Sequence, residues 1–126
     1  MSELTPQEVK ELVLNALSDL KAKDVVELNV TDLTDVMDTL VIASGTSNRH
    51  VKSLAQHVSS EAKAAGFQPL GMEGESQGEW VLVDFGDLVL HVMMPSTRDF
   101  YDLEKLWSMA PKNRIESVPN DGSAPE

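Results

Sequence analysis

Leu40 to Val51, LVIASGTSNRHV, constrains the fold more than any other stretch of the chain. Leu40-Val41-Ile42-Ala43 is an apolar run with β-branched residues and no breaker, which predicts a buried strand. Ser44-Gly45-Thr46-Ser47-Asn48 follows, a cluster of turn and cap residues about one glycine. Val51, Leu54, Ala55, Val58, Ala62 and Ala65 then recur at the spacing of one helix face. A strand, a tight glycine turn and a helix start in that order require α/β packing. Backbone amides at such a turn can hold an anion, so the chain must be tested for phosphate chemistry.

The other elements arrange themselves around this unit. Thr5-Pro6-Gln7-Glu8 predicts a helix start with a capping box and proline at the first helical position. Val9, Leu12, Val13, Ala16, Leu17 and Leu20 form its apolar stripe, giving a helix from Pro6 to about Leu20. Val25 to Val30 predicts a strand, and Thr31 to Asp38 an acidic loop with a helical turn near Leu33 to Met37. The second strand spans about Thr39 to Ala43. Its helix ends at Ala65, with Gly66 as the left-handed residue and Phe67 folding back in a Schellman end.

Leu70 to Glu73 reads as a short strand and Gly74 to Gly78 as a flexible turn. Trp80 to Phe85 and Leu88 to Met93 are joined by Gly86-Asp87, a hairpin with glycine where a type II′ turn requires it. Pro95-Ser96-Thr97 breaks the last strand and caps one final helix. Phe100, Leu103, Leu106, Trp107 and Ala110 form its buried stripe, and Pro111 stops it. Residues 111–126 read as a disordered tail, leaving residues 1–110 as the domain.

The order is αββαβββα: one small α/β domain, a mixed sheet with helices mainly on one face. Alternation sends Val81, Val83, Phe85, Leu88, Leu90 and Val92 toward the helices. Trp80, Leu82, Asp84, Val89, His91 and Met93 then lie on the other face. Left open, that face is an apolar patch of the kind that marks protein interfaces. The alternative is that the first helix or the N-terminal segment covers it.

Charge narrows the partner. The net charge is −11, with 21 acidic against 10 basic residues. Direct binding to a phosphate backbone needs a basic surface, whereas a basic protein suits an acidic one. The absence of cysteine removes disulfides, thiolate metal sites and a cysteine nucleophile. The N-terminal stretch is acidic and lacks the apolar core of a signal peptide. No window has the run of apolar residues that a membrane span needs. A cytoplasmic protein is expected.

Enzyme motifs fail one by one. The Gly45 turn lacks the lysine and spacing of a P-loop, and Gly71, Gly74 and Gly78 do not match a dinucleotide fingerprint. The turn is similar to the start of a nucleotidyltransferase site, but that chemistry needs carboxylates on neighbouring strands to hold magnesium. Here Arg49-His50-Val51-Lys52 follows instead. Asp84-Phe85-Gly86 copies three kinase letters without the rest of a kinase. His50 and His57 are seven positions apart on one helix, too far for one zinc ion, and read as surface histidines. His91 reads as a contact or hydrogen-bonded residue on the open face. No catalytic residue, cofactor or metal is expected.

Several segments jointly resemble the ribosomal silencing factor family, also called Iojap-like. They are Asp38 to Val51, Gly71-Met72-Glu73-Gly74, Trp80 to Asp87, His91-Val92-Met93, and Arg98 to Trp107, in family order. The resemblance implies a nucleotidyltransferase-like fold without transferase activity. It implies binding to the large ribosomal subunit through that subunit's protein number fourteen, blocking joining of the small subunit and repressing translation under nutrient limitation. Thr39 stands where the family usually has an aromatic.

The expected contact set is Glu73, Trp80, Asp84, Asp87, His91 and Tyr101. Trp80 anchors, the three acids meet basic side chains, and His91 and Tyr101 add polar-tipped aromatic contact. Arg98 is expected to pair within the domain, with Asp102 or Asp87. Two other readings compete. One is an adaptor for another basic protein, with the open face also serving a homodimer. The other is a divergent phosphate-handling enzyme.

Overall fold

The computed structural model describes residues 4–108. Helix α1 (Pro6–Asp19) precedes β1 (Lys23–Asn29) and β2 (Thr39–Ser44). Helix α2 (Asn48–Ala64) leads to β3 (Gly71–Glu73), β4 (Trp80–Asp84) and β5 (Leu88–Met93), and then to the short helices α3 (Pro95–Tyr101) and α4 (Leu103–Ser108). The sheet order is β1-β2-β5-β4-β3. Only β2 and β5 run parallel; the other neighbours are antiparallel.

Local chemistry sets the element ends as expected. Thr5 accepts from the Glu8 amide while Glu8 Oε1 accepts from the Thr5 amide, the reciprocal capping box that starts α1. At the end of α2 the Phe67 amide donates to Ala62 O and the Gly66 amide to Lys63 O. Gly66 has φ +94°, completing the Schellman end. In the β4–β5 hairpin the Phe85 amide donates to Leu88 O and Gly86 has φ +94°, as a type II′ turn requires.

One sheet face packs on α1 and α2. Val9, Val13, Leu17, Val51, Leu54 and Val58 from the helices bury against Val41, Val81, Val83, Leu90 and Val92. The second face is neither bare nor covered by α1. Val30, Leu40, Ile42 and Met93 are fully buried there, with Leu28, Leu33, Met37 and Leu103 packed around them. The 30–38 connection folds across the β1–β2–β5 part of this face. One turn closes at its start, where the Leu33 and Thr34 amides both donate to Val30 O, and residues 34–38 then run as bends, so the helical turn expected near Leu33 to Met37 does not form there.

The C-terminal helix differs from expectation. Asp102 adopts φ +48°, a left-handed conformation, and divides the helix in two. With the register broken, Phe100 and Leu106 are 80% and 59% exposed instead of buried. The expected core role of the Trp107 side chain, Ala110, the stop at Pro111 and the tail lie outside the described residues.

Candidate functional site

The uncovered part of the second face lies over β4 and its neighbours. Trp80, Leu82 and Asp84 are each half-buried on it. Trp80 is held from two sides. Its indole Nε1 donates to His91 Nδ1 at 2.9 Å, and its ring lies 4.7 Å from that of Tyr101. Phe100 meets Tyr101 edge-on at 5.0 Å. His91 is buried, at 9% exposure, and burial pushes its pKa down to about 4. It is therefore neutral at ordinary pH, with Nδ1 accepting and the proton on Nε2. Tyr101 is half exposed.

Three of the six expected contact residues, Trp80, His91 and Tyr101, thus form one cluster. The acids are spread out. Glu73 is exposed on edge strand β3, opposite Leu82 and hence on the same face. Asp84 sits at the far end of β4, and its carboxylate accepts from the Gly86 amide at 2.8 Å. That bond gives it a turn-stabilising task within the chain. Asp87 is exposed at the hairpin tip, where its carbonyl accepts from the amides of Asp38 and Thr39.

Arg98 pairs with neither expected acid. It is 7% exposed; its Nε donates to Glu104 Oε1 and its Nη1 to Ser44 Oγ, both at 2.8 Å. The hydrogen bond from Arg98 holds the Glu104 carboxyl below its ordinary range. This ties α3, α4 and the end of β2 together. Glu104 is six positions from Arg98, a separation that no continuous helix brings face to face. Only the break at Asp102 makes the pair, and Asp102 carries no turn signal stronger than being an aspartate.

The glycine turn is built for packing. A Cβ on Gly45 would come within 2.8 Å of Val51 Cγ2 and 2.9 Å of the Val51 amide nitrogen. Ser47 caps α2 by accepting from the His50 amide. His50 Nδ1 accepts from the Thr46 amide, and His50 Nε2 donates to Leu20 O at 2.8 Å. The Gly45 amide donates to Met93 O, so the Gly45, Thr46 and His50 amides are all engaged within the chain. His50 is no loose surface histidine, since it ties the turn to the end of α1. His57 likewise contacts Asp19 at 3.0 Å. Among the described residues, no group of His, Cys, Asp or Glu is placed to hold a metal ion.

The Gly74–Gly78 turn is also more ordered than its composition suggests. Asn48 Nδ2 donates to the carbonyls of Gln77 and Gly78. Gly78 is buried with φ +73°, and a Cβ there would strike Asn48 O. No helix among the described residues is long and apolar enough to cross a membrane.

Fold and site together define a small mixed-sheet α/β domain that presents a braced aromatic cluster. The family described as ribosomal silencing factor during starvation matches residues 3–126, and the chain belongs to it. A ribosomal silencing factor from Chromobacterium violaceum is 50% identical over 101 residues, covering 80% of this chain and 83% of that one. One from Halalkalibacterium halodurans is 37% identical over 115 residues, covering 91% and 98%. A crystal structure of a Chromobacterium violaceum protein superposes with TM-score 0.82 at 48% identity, covering 83% of this chain and 88% of that one.

Proposed function

We propose that this chain silences translation as a cytoplasmic, non-catalytic binding protein. It docks on protein number fourteen of the large ribosomal subunit, and its bulk then prevents the small subunit from joining. The observation that carries this reading is the Trp80–His91–Tyr101 cluster on an open sheet face in a chain of net charge −11. A large aromatic held in one orientation contributes contact area with little left to order on binding. The acid excess suits a basic protein surface and opposes RNA. Glu73, beside the cluster on the same face, and Asp87, at the hairpin tip, supply negative charge; Asp84 contributes mainly by holding the hairpin.

The test is cosedimentation with separated large and small subunits, using the wild type, Trp80→Ala and Glu73→Lys. Each variant is checked for folding first. Large-subunit binding that folded Trp80→Ala loses and Glu73→Lys weakens is the expected result. Full binding by both variants would move the contact off this face. Binding to neither subunit by wild type would sink the docking reading.

A further inference from the structure

A cleft of about 300 Å³ lies where the start of α1, the end of the Schellman turn, the start of β2 and the hairpin tip meet. Its floor is apolar: Val9, Phe85 and Leu88 are 5%, 4% and 4% exposed, and Phe67 meets Phe85 with ring centroids 5.9 Å apart. Its exposed rim carries Asp38 and Asp87. The two acids are held together by backbone, since the amides of Asp38 and Thr39 both donate to Asp87 O, at 2.7 and 3.0 Å. Neither carboxylate has a partner among the described residues.

We propose that this cleft binds a small free amine: one ammonium head on a short apolar, preferably aromatic, body. The volume falls at the lower end of small-molecule sites, and such sites pair an apolar lining with a few fixed polar groups. Both polar groups here carry the same sign. An ammonium at this rim is offset by two nearby carboxylates, and the net charge of −11 raises the local concentration of cations. The body displaces water from the Phe67–Phe85 floor, and an aromatic ring meets these rings edge-on or offset. The recessed floor favours a free molecule over a side chain that must stay tethered to a partner's surface. The cleft lies away from the Trp80 cluster and shares only Asp87 with the proposed ribosomal contact, and amine binding is read on the isolated chain, so its failure is distinct from a failure of the ribosomal reading.

The experiment titrates the isotope-labelled full chain with 2-phenylethylamine, 2-phenylethanol and Nα-acetyl-lysine methylamide at constant ionic strength. Amide shifts are read at Thr39, Phe85 and Leu88. Saturable shifts there, with the amine about fivefold tighter than the alcohol, are expected for one partly screened ion pair. Asp38→Asn with Asp87→Asn should erase that preference and leave the alcohol unchanged. Equal binding of amine and alcohol, shifts that spread over the acidic surface without saturating, or no shifts would each overturn the proposal. Tighter binding of the lysine derivative would also overturn it, by reassigning the cleft to a partner's side chain.

Discussion

The indole Nε1 of Trp80 donates its proton to Nδ1 of His91 across the β4–β5 pair, at 2.9 Å. The bond fixes two things together: the plane of the tryptophan and the tautomer of the histidine. The acceptor must stay unprotonated, and the buried imidazole has little water to turn to. Trp80→Phe therefore keeps most of the apolar contact and orphans a buried acceptor. Such a loss costs about 1–3 kcal/mol. Chemical denaturation should register it, and NMR should show His91 titrating at a higher pH than in the wild type.

Acid should weaken the fold through His91. Its pKa falls from the ordinary 6.5 to about 4 on folding, so between these values the unfolded chain binds more protons than the folded one. Stability from this group is full above about pH 6.5 and is lost as pH falls toward 4. The whole effect is about 3 kcal/mol. Unfolding by urea at pH 7.5, 6 and 5 should trace the loss. His91→Gln, which cannot charge, should show a shallower dependence over the same window.

Arg98 should matter more than its place on a short helix suggests. Replacing it with Met removes the donors to Ser44 and Glu104 while keeping much of the stem's volume. Breaking a buried pair costs about 3–5 kcal/mol. Glu104 has a side chain 34% exposed and can rehydrate, so the low end is expected. Glu104→Gln should cost clearly less than Arg98→Met in guanidinium melts. Both should loosen Tyr101 from Trp80, read as a change in tryptophan emission.

Gly45→Ala tests whether the glycine turn serves packing. Gly45 has no positive φ, so backbone freedom is not its reason for being there. The added methyl meets Val51 backbone as well as side chain, and backbone cannot step aside. A loss of about 2 kcal/mol is expected. Adding Val51→Ala should recover none of the backbone part, so the double variant should stay less stable than Val51→Ala alone in thermal melts.

These contrasts mark what could be read from the chain. α2 and its turn were legible because period, cap and terminal glycine agree locally over Ser47 to Phe67. The β4–β5 hairpin was legible for the same reason. The split at Asp102 was not, because Leu103, Leu106 and Trp107 continue a plausible helical stripe and nothing local forbids it. With the split went the burial of Phe100 and Leu106 and the partner of Arg98. The 30–38 connection also escaped: Leu33 and Met37 look like loop residues until β2 and β5 place Ile42 and Met93 beneath them. Of the expected contacts, Trp80 and His91 share a face by simple alternation. Tyr101 joins them only through the tertiary position of α3, and Asp84 is diverted by the Gly86 amide beside it.

The parallel β2–β5 pair carries a consequence for how the chain is made. Thr39 pairs with Leu88, 49 positions on. At about 5–20 residues per second of synthesis, β2 waits roughly 2–10 s for its central partner. Until then Leu40 to Ala43 can be sheltered only by β1 and the nascent α1 and α2, with one strand edge unpaired. The domain is thus most prone to misassociate while still tethered to the machine that is making it, and newly made chains should depend on chaperones over that interval.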